Sequence, residues 1–110
     1  DVLDYKTPIK GKIFDRIQEM SDFALGTIES ATDALFQKDF QQAEMAIKKS
    51  IDIQKHEKRV SDILKTNKNE LENYRIRRIV ENVRRIAEYA SDIGEIVLNM
   101  NIEKIIKKQT

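Results

Sequence analysis

Over 76–100 the chain repeats apolar residues at a spacing that few folds can use. Ile76, Val83, Ala90 and Val97 stand seven apart, and Ile79, Ile86, Ile93 and Met100 make a companion row flanked by Val80, Ala87 and Gly94. At 100° per residue these positions share one broad stripe, wider than a coiled-coil seam and typical of a bundle helix. No period-two alternation of the kind a half-buried strand needs occurs anywhere in the chain. The stripe predicts a helix over 70–107, about 55 Å long at 1.5 Å per residue. Its start is marked by the break Thr66-Asn67-Lys68-Asn69 and by Asn69 with Glu72 three residues on, the form of a capping box.

Two further helices precede it. Thr7-Pro8 is a start signal, with Thr as N-cap and Pro in the first turn. From there Ile13, Ile17, Met20, Ala24, Thr27, Ala31 and Leu35 step by four and three, which predicts a helix over 8–37. The pattern resets at Gln37-Lys38-Asp39. Asp39 with Gln42 repeats the capping-box form and opens a helix predicted over 39–65. That helix is apolar on two sides. Phe40, Ala43, Ile47 and Ile51 form one row, and Ala46, Ile53, Val60 and Leu64 the other, so it must touch two neighbours or one neighbour and a partner chain. Three such rods with short breaks predict an all-α, up-down-up antiparallel bundle with Ile17, Ala24, Ile53, Val60, Val83, Ile86, Ala90 and Ile93 in the core. The third is the longest, and part of it is expected to project past the others.

With 110 residues the natural reading is one domain, a bundle over 7–110 behind a linker or tail over 1–6. One proline, three glycines and 35 % charged residues suit long helices. A net charge of +1 gives no global pull towards nucleic acid or an anionic membrane. The absence of cysteine excludes disulfides and thiolate metal sites. No apolar run reaches the ~20 residues of a membrane span and no secretory signal opens the chain, so a soluble, cytoplasmic protein is expected.

Chemistry is sparse. Glu81, Arg85, Glu88, Asp92 and Glu95 share the side of the third helix opposite the apolar stripe. A solvated face with ion pairs such as Glu81–Arg85 is the plainer reading. Glu88, Asp92 and Glu95, however, have no cation interleaved, and such carboxylates can share a hard or borderline cation. The sole histidine, His56, follows Asp52 by four; a boundary histidine is the simpler reading and a ligand pair the sharper one. Phosphotransfer is disfavoured because Glu57-Lys58-Arg59 leaves no small residue beside it to admit a docking partner. Arg75, Arg77, Arg78, Arg84 and Arg85 could form an anion patch, but Glu72, Glu81 and Glu88 are interleaved and no aromatic platform accompanies them. No Gly-rich phosphate loop and no Ser-His-Asp set can be assembled, so no enzyme activity is expected.

The stretch "VRRIAEYASDIGE" over 83–95 resembles the pattern L-E-R-I-G-D-H-A-x-N-I-A-E that closes each three-helix repeat of the PhoU family of phosphate-uptake regulators. Arg85, Ile86, Ala90, Ile93 and Glu95 coincide with it, and Glu88 stands at an acidic position with Asp92 four residues later. The likeness extends back through the first two helices, over roughly 13–98. It implies a three-helix regulatory module and metal binding through (Glu/Asp)-x-x-x-Asp pairs, a spacing that Glu88 and Asp92 meet. The family's second acidic pair falls on Ser50 and Gln54 here, and the first Glu of its motif on Arg84. The chain carries one repeat where the family usually has two. Some archaeal relatives join such a module to an N-terminal DNA-binding domain of the AbrB type, and the linker-like 1–6 would fit a cut from such a protein.

These readings converge on a non-catalytic module acting by protein–protein contact in phosphate-uptake regulation. The resemblance implies a phosphate transporter or its sensor kinase as partner. A homodimer is expected from the single repeat and the two-sided second helix, with Phe40, Ala43, Ile47 or Ile51 at the interface. Direct nucleic-acid binding is not expected. No cofactor is certain; the expectation is at most weak, labile binding of a divalent ion such as iron or manganese at Glu88 and Asp92, with Glu95 as a candidate third ligand. The rival readings are a carboxylate metal-binding bundle, as enzyme or store, and a generic helical dimerisation scaffold.

Overall fold

A computed structural model of the chain describes residues 11–109. Four helical segments follow one another: α1 (Gly11–Gln37), α2 (Phe40–Ile51), α3 (Ile53–Leu64) and α4 (Glu70–Gln109). Only Asp52 separates α2 from α3, so the two form one interrupted rod, and the fold is the expected all-α, up-down-up bundle of three rods. The start signal at Thr7-Pro8 and the linker over 1–6 lie outside the described residues. Among the described residues no helix is long and apolar enough to cross a membrane.

Local hydrogen bonds mark the interruption at Asp52. The Ser50 hydroxyl donates to the Ile47 carbonyl at 2.6 Å, and the Asp52 N–H bonds three residues back to Lys49 at 2.9 Å. A serine hydroxyl that bonds back into the preceding turn competes with the regular ladder and loosens it.

The turns are built from side chains and one left-handed residue. Lys38 has φ 55, and the N–H groups of Asp39 and Lys38 reach the carbonyls of Ala34 (2.9 Å) and Leu35 (3.4 Å). This is a Schellman closure of α1 with lysine at the position glycine normally fills. Asp39 Oδ1 then accepts from the Gln42 N–H at 3.0 Å and caps α2. The reciprocal half of the box does not form. Gln42 Nε2 instead donates to the Ser30 carbonyl at 3.0 Å, tying α2 to α1. Between α3 and α4, Asn69 Oδ1 accepts from the Glu72 N–H at 3.0 Å. The buried Asn73 locks the same turn: its Nδ2 donates to the Asn67 carbonyl at 2.9 Å, and its Oδ1 accepts from Asn67 Nδ2 at 2.8 Å.

The core is a column of small and branched side chains. At one end Val60, Leu64 and Ile76 pack with Ile13, Ile17 and Val80; Met20, Ala24, Ile53, Val83 and Ala87 follow; then come Ala31, Ala46 and Ala90; Ala34, Ala43 and Val97 close the far end. The expected core residues all lie in or against this column. On α1 the buried position of the last turns is Ala34, with Leu35 packed beside it. Ala43 is fully buried against α4 rather than free for a partner. The packed column ends at Val97 and Leu98, yet α4 is 40 residues long against 27 for α1. Its last turns project with Ile102, Ile105 and Ile106 exposed, which makes the molecule 64 × 23 × 16 Å.

Candidate functional site

The interruption between α2 and α3 lies opposite the middle of α4, where the sequence places its acidic row. An open crevice of about 510 Å³ lies there, lined by Ser50, Gln54 and Glu57 on one side and by Arg84, Glu88 and Asp92 on the other. Ala87, between Arg84 and Glu88 in sequence, is fully buried and fixes the face that α4 turns to the core. Glu88 and Asp92, four residues apart, therefore reach the crevice from the edge of the stripe. Glu95 is exposed one turn further along and is not part of the lining.

A cation already stands among these carboxylates. Arg84 Nη1 donates to Glu57 Oε2 at 3.3 Å, and Arg84 Nε lies 3.6 Å from Glu88 Oε1. Glu57 is the more enclosed of the two acids, its side chain 23 % exposed against 61 % for Glu88. Arg84 and Glu57 also line a smaller neighbouring crevice of about 280 Å³ with Arg77 and Glu81, so the pair forms the partition between the two spaces. Sequence reasoning missed Glu57 as the partner of Arg84. The sequence carries half of the signal: on the helical wheel Arg84 lies on the same side of α4 as Ala87 and Ser91, the side turned to α2 and α3, but which carboxylate it meets there is set by the packing of α3 on α4.

The other candidates resolve more simply. Arg85 pairs with Glu81 at 2.9 Å, the i,i+4 pair expected from sequence. Arg84 and Arg85, both weighed from sequence as members of an anion patch, are thus engaged with carboxylates. His56 is half-buried against Phe23, with ring centroids 4.8 Å apart. Burial pushes its pKa below the usual histidine value, and the Arg59 charge lowers it further, against opposing contributions from Glu19 and Asp52. Asp52 pairs with Lys55 at 3.6 Å.

Among the described residues no three His, Cys, Asp or Glu side chains converge as a metal-binding group. Of the three crevice carboxylates Glu57 and Glu88 both lie against Arg84, which leaves too few free oxygens for the six or more that a hard cation takes, so the donor set does not fit a multinuclear cluster. Compared with known proteins, residues 17–97 match a family model described as PhoU domain. No curated protein and no solved structure matches the chain.

Proposed function

Because the chain belongs to the PhoU domain family, we propose that it is a non-catalytic cytoplasmic module that regulates phosphate uptake through protein–protein contact. The observation that carries this reading is the extent of the family match. It runs over 17–97, from Ile17 at one end of the packed column to Val97 at the other, so the likeness covers the whole core rather than one motif. The proposed partner is a component of a phosphate transporter or its sensor kinase. The family's metal chemistry survives in this reading only as weak, labile divalent binding at Glu88 and Asp92; Glu95, expected from sequence as a third ligand, lies outside the crevice lining.

The reading includes a homodimer. Ala43 is consumed by α4, and of the row proposed from sequence Ile51 alone is largely exposed. Larger apolar exposure lies along α1 and α4. Leu25 and Phe36 on α1, and Tyr89 and Ile96 on α4, are each more than half exposed. Ile28 and Ile93 pack together on the core at the same level. On the helical wheels Leu25 lies beyond Ile28, and Tyr89 and Ile96 lie beyond Ile93, on one shared side of the bundle. Sedimentation should give a dimer that Leu25→Asp/Tyr89→Asp dissociates.

The functional reading is tested in cells lacking the coding region. Labelled-phosphate uptake should lose its response to external phosphate and regain it on complementation, and a tagged chain should co-purify with the transporter or the kinase. Unchanged uptake together with no such co-purification would refute it.

A further inference from the structure

We infer that Arg84 is a resident cation of the α2–α3–α4 crevice, occupying by its guanidinium the place where a divalent ion would bridge Glu57 and Glu88. Three observations carry this. The arginine reaches carboxylates on two different elements, Glu57 of α3 at 3.3 Å and Glu88 of its own helix at 3.6 Å. It does so with different nitrogens, Nη1 and Nε, as the planar fork of a guanidinium allows. The crevice around it is open and carries only one further carboxylate, Asp92, among the polar groups Ser50, Gln54 and Ser91.

The chemistry follows from charge and tether. An arginine side chain stays protonated at any ordinary pH. A divalent ion entering between Glu57 and Glu88 must displace the guanidinium, yet the arginine remains covalently held within a few ångströms. The ion then gains two carboxylates and faces a permanent positive charge at close range. Binding is left to Asp92 and the remaining oxygen of Glu88, with water completing the shell. A site with so few charged ligands lies at the weak end of the range set by ligand charge and number. The crevice is thus stabilised as an ion-paired seam between α3 and α4 without metal, and a regulatory role for the module does not depend on metal supply. This goes beyond the proposed regulatory reading, and its failure would leave that reading standing.

The test is calorimetric titration of manganese into the wild-type chain, Arg84→Gln, Arg84→Glu and Arg84→Glu/Glu88→Gln, with far-ultraviolet circular dichroism to confirm folding. The wild type should bind weakly. Arg84→Gln, which removes the charge without adding one, should bind roughly tenfold more tightly; Arg84→Glu, which adds a carboxylate between Glu57 and Glu88, roughly a hundredfold, with one ion per chain. Adding Glu88→Gln should reverse most of that gain. If Arg84→Glu does not fold without metal, Arg84→Gln alone decides. Affinity equal in the wild type and the folded Arg84 variants, or already tight in the wild type, would overturn the inference. The Glu88–Asp92 reading fails separately, if Glu88→Gln/Asp92→Asn leaves the wild-type heat unchanged.

Discussion

Gly94 of α4 faces Ala43 of α2 so closely that a methyl group on Gly94 would lie 2.9 Å from the Ala43 carbonyl oxygen and 2.7 Å from Ile47 Cγ1. The two helices touch here through backbone, and the absent side chain sets their separation. Gly94→Ala gains about 1 kcal/mol of helix propensity but forces α2 away from α4, an overpacking cost of about 1–3 kcal/mol. The net effect should be a lower melting temperature. Gly26, with nothing within 4 Å of its would-be methyl group, is the control. Gly26→Ala should raise stability by about 1 kcal/mol. Thermal melts shifting in the same direction for both variants would contradict the packing.

Lys38 holds a left-handed backbone at the α1–α2 corner, with φ 55. A side chain costs about 1 kcal/mol or more in that region, whereas glycine adopts it freely. Lys38→Gly should therefore stabilise the chain by about 0.5–1 kcal/mol, part of the relief being offset by the greater freedom of glycine in the unfolded chain. A chemical denaturation midpoint that falls would show that the lysine side chain makes a contribution the corner geometry does not reveal.

Val83 sits in the core with Met20, Ala24, Ile53 and Ala87 and is 8 % exposed. Val83→Asp would place a carboxylate there with no apolar neighbour able to pair with it. A loss of several kcal/mol is expected, enough to unfold much of a marginally stable domain at 37 °C. A circular dichroism melt unchanged by the substitution would place Val83 outside the core.

The histidine gives the pH dependence. The folded-state pKa of His56 is lowered, first by burial and then by Arg59, so the folded chain binds this proton less readily than the unfolded chain. Its contribution to stability is present above the unfolded value of about 6.5 and is lost as pH falls through the folded value. His56→Gln should flatten the stability profile below about pH 6.5. The residues to watch are those that face the ring: Phe23 by contact, and Arg16, Glu19, Asp52 and Arg59 by charge.

The rods were legible because their signals are local. Asp39 and Asn69 each cap the helix the sequence assigns to them, at 3.0 Å. One seven-residue row of α4, Ile76, Val83, Ala90 and Val97, is buried throughout, and its companion row Ile79, Ile86, Ile93 and Met100 is part-buried beside it. What was not legible depends on contacts between distant residues. The interruption at Asp52, where the backbone N–H bonds three residues back to Lys49, is announced by no residue pattern in the sequence. The two-sided α2 looked like a surface awaiting a second chain because nothing in its own sequence says that Gly94 brings α4 onto Ala43 and Ile47. At the candidate site, the i,i+4 spacing of Glu88 and Asp92 was plain. The hold of Arg84 on Glu57, 27 residues away, is a property of how α3 lies against α4.

The overhang of α4 divides the chain into two thermal regimes. Up to Leu98 α4 packs against side chains from the other rods, and its buried turns should be the slowest to exchange their amide hydrogens. Beyond that point the helix has the bundle at one end and water on every side, and a free helix of about ten residues is marginal in water. Ile102, Ile105 and Ile106 sit in this region beside Lys104, Lys107 and Lys108. Their helical conformation depends on the turn before them, because no other rod packs against them. The end of the longest helix is thus the part of the domain where a binding event would gain most by supplying a wall.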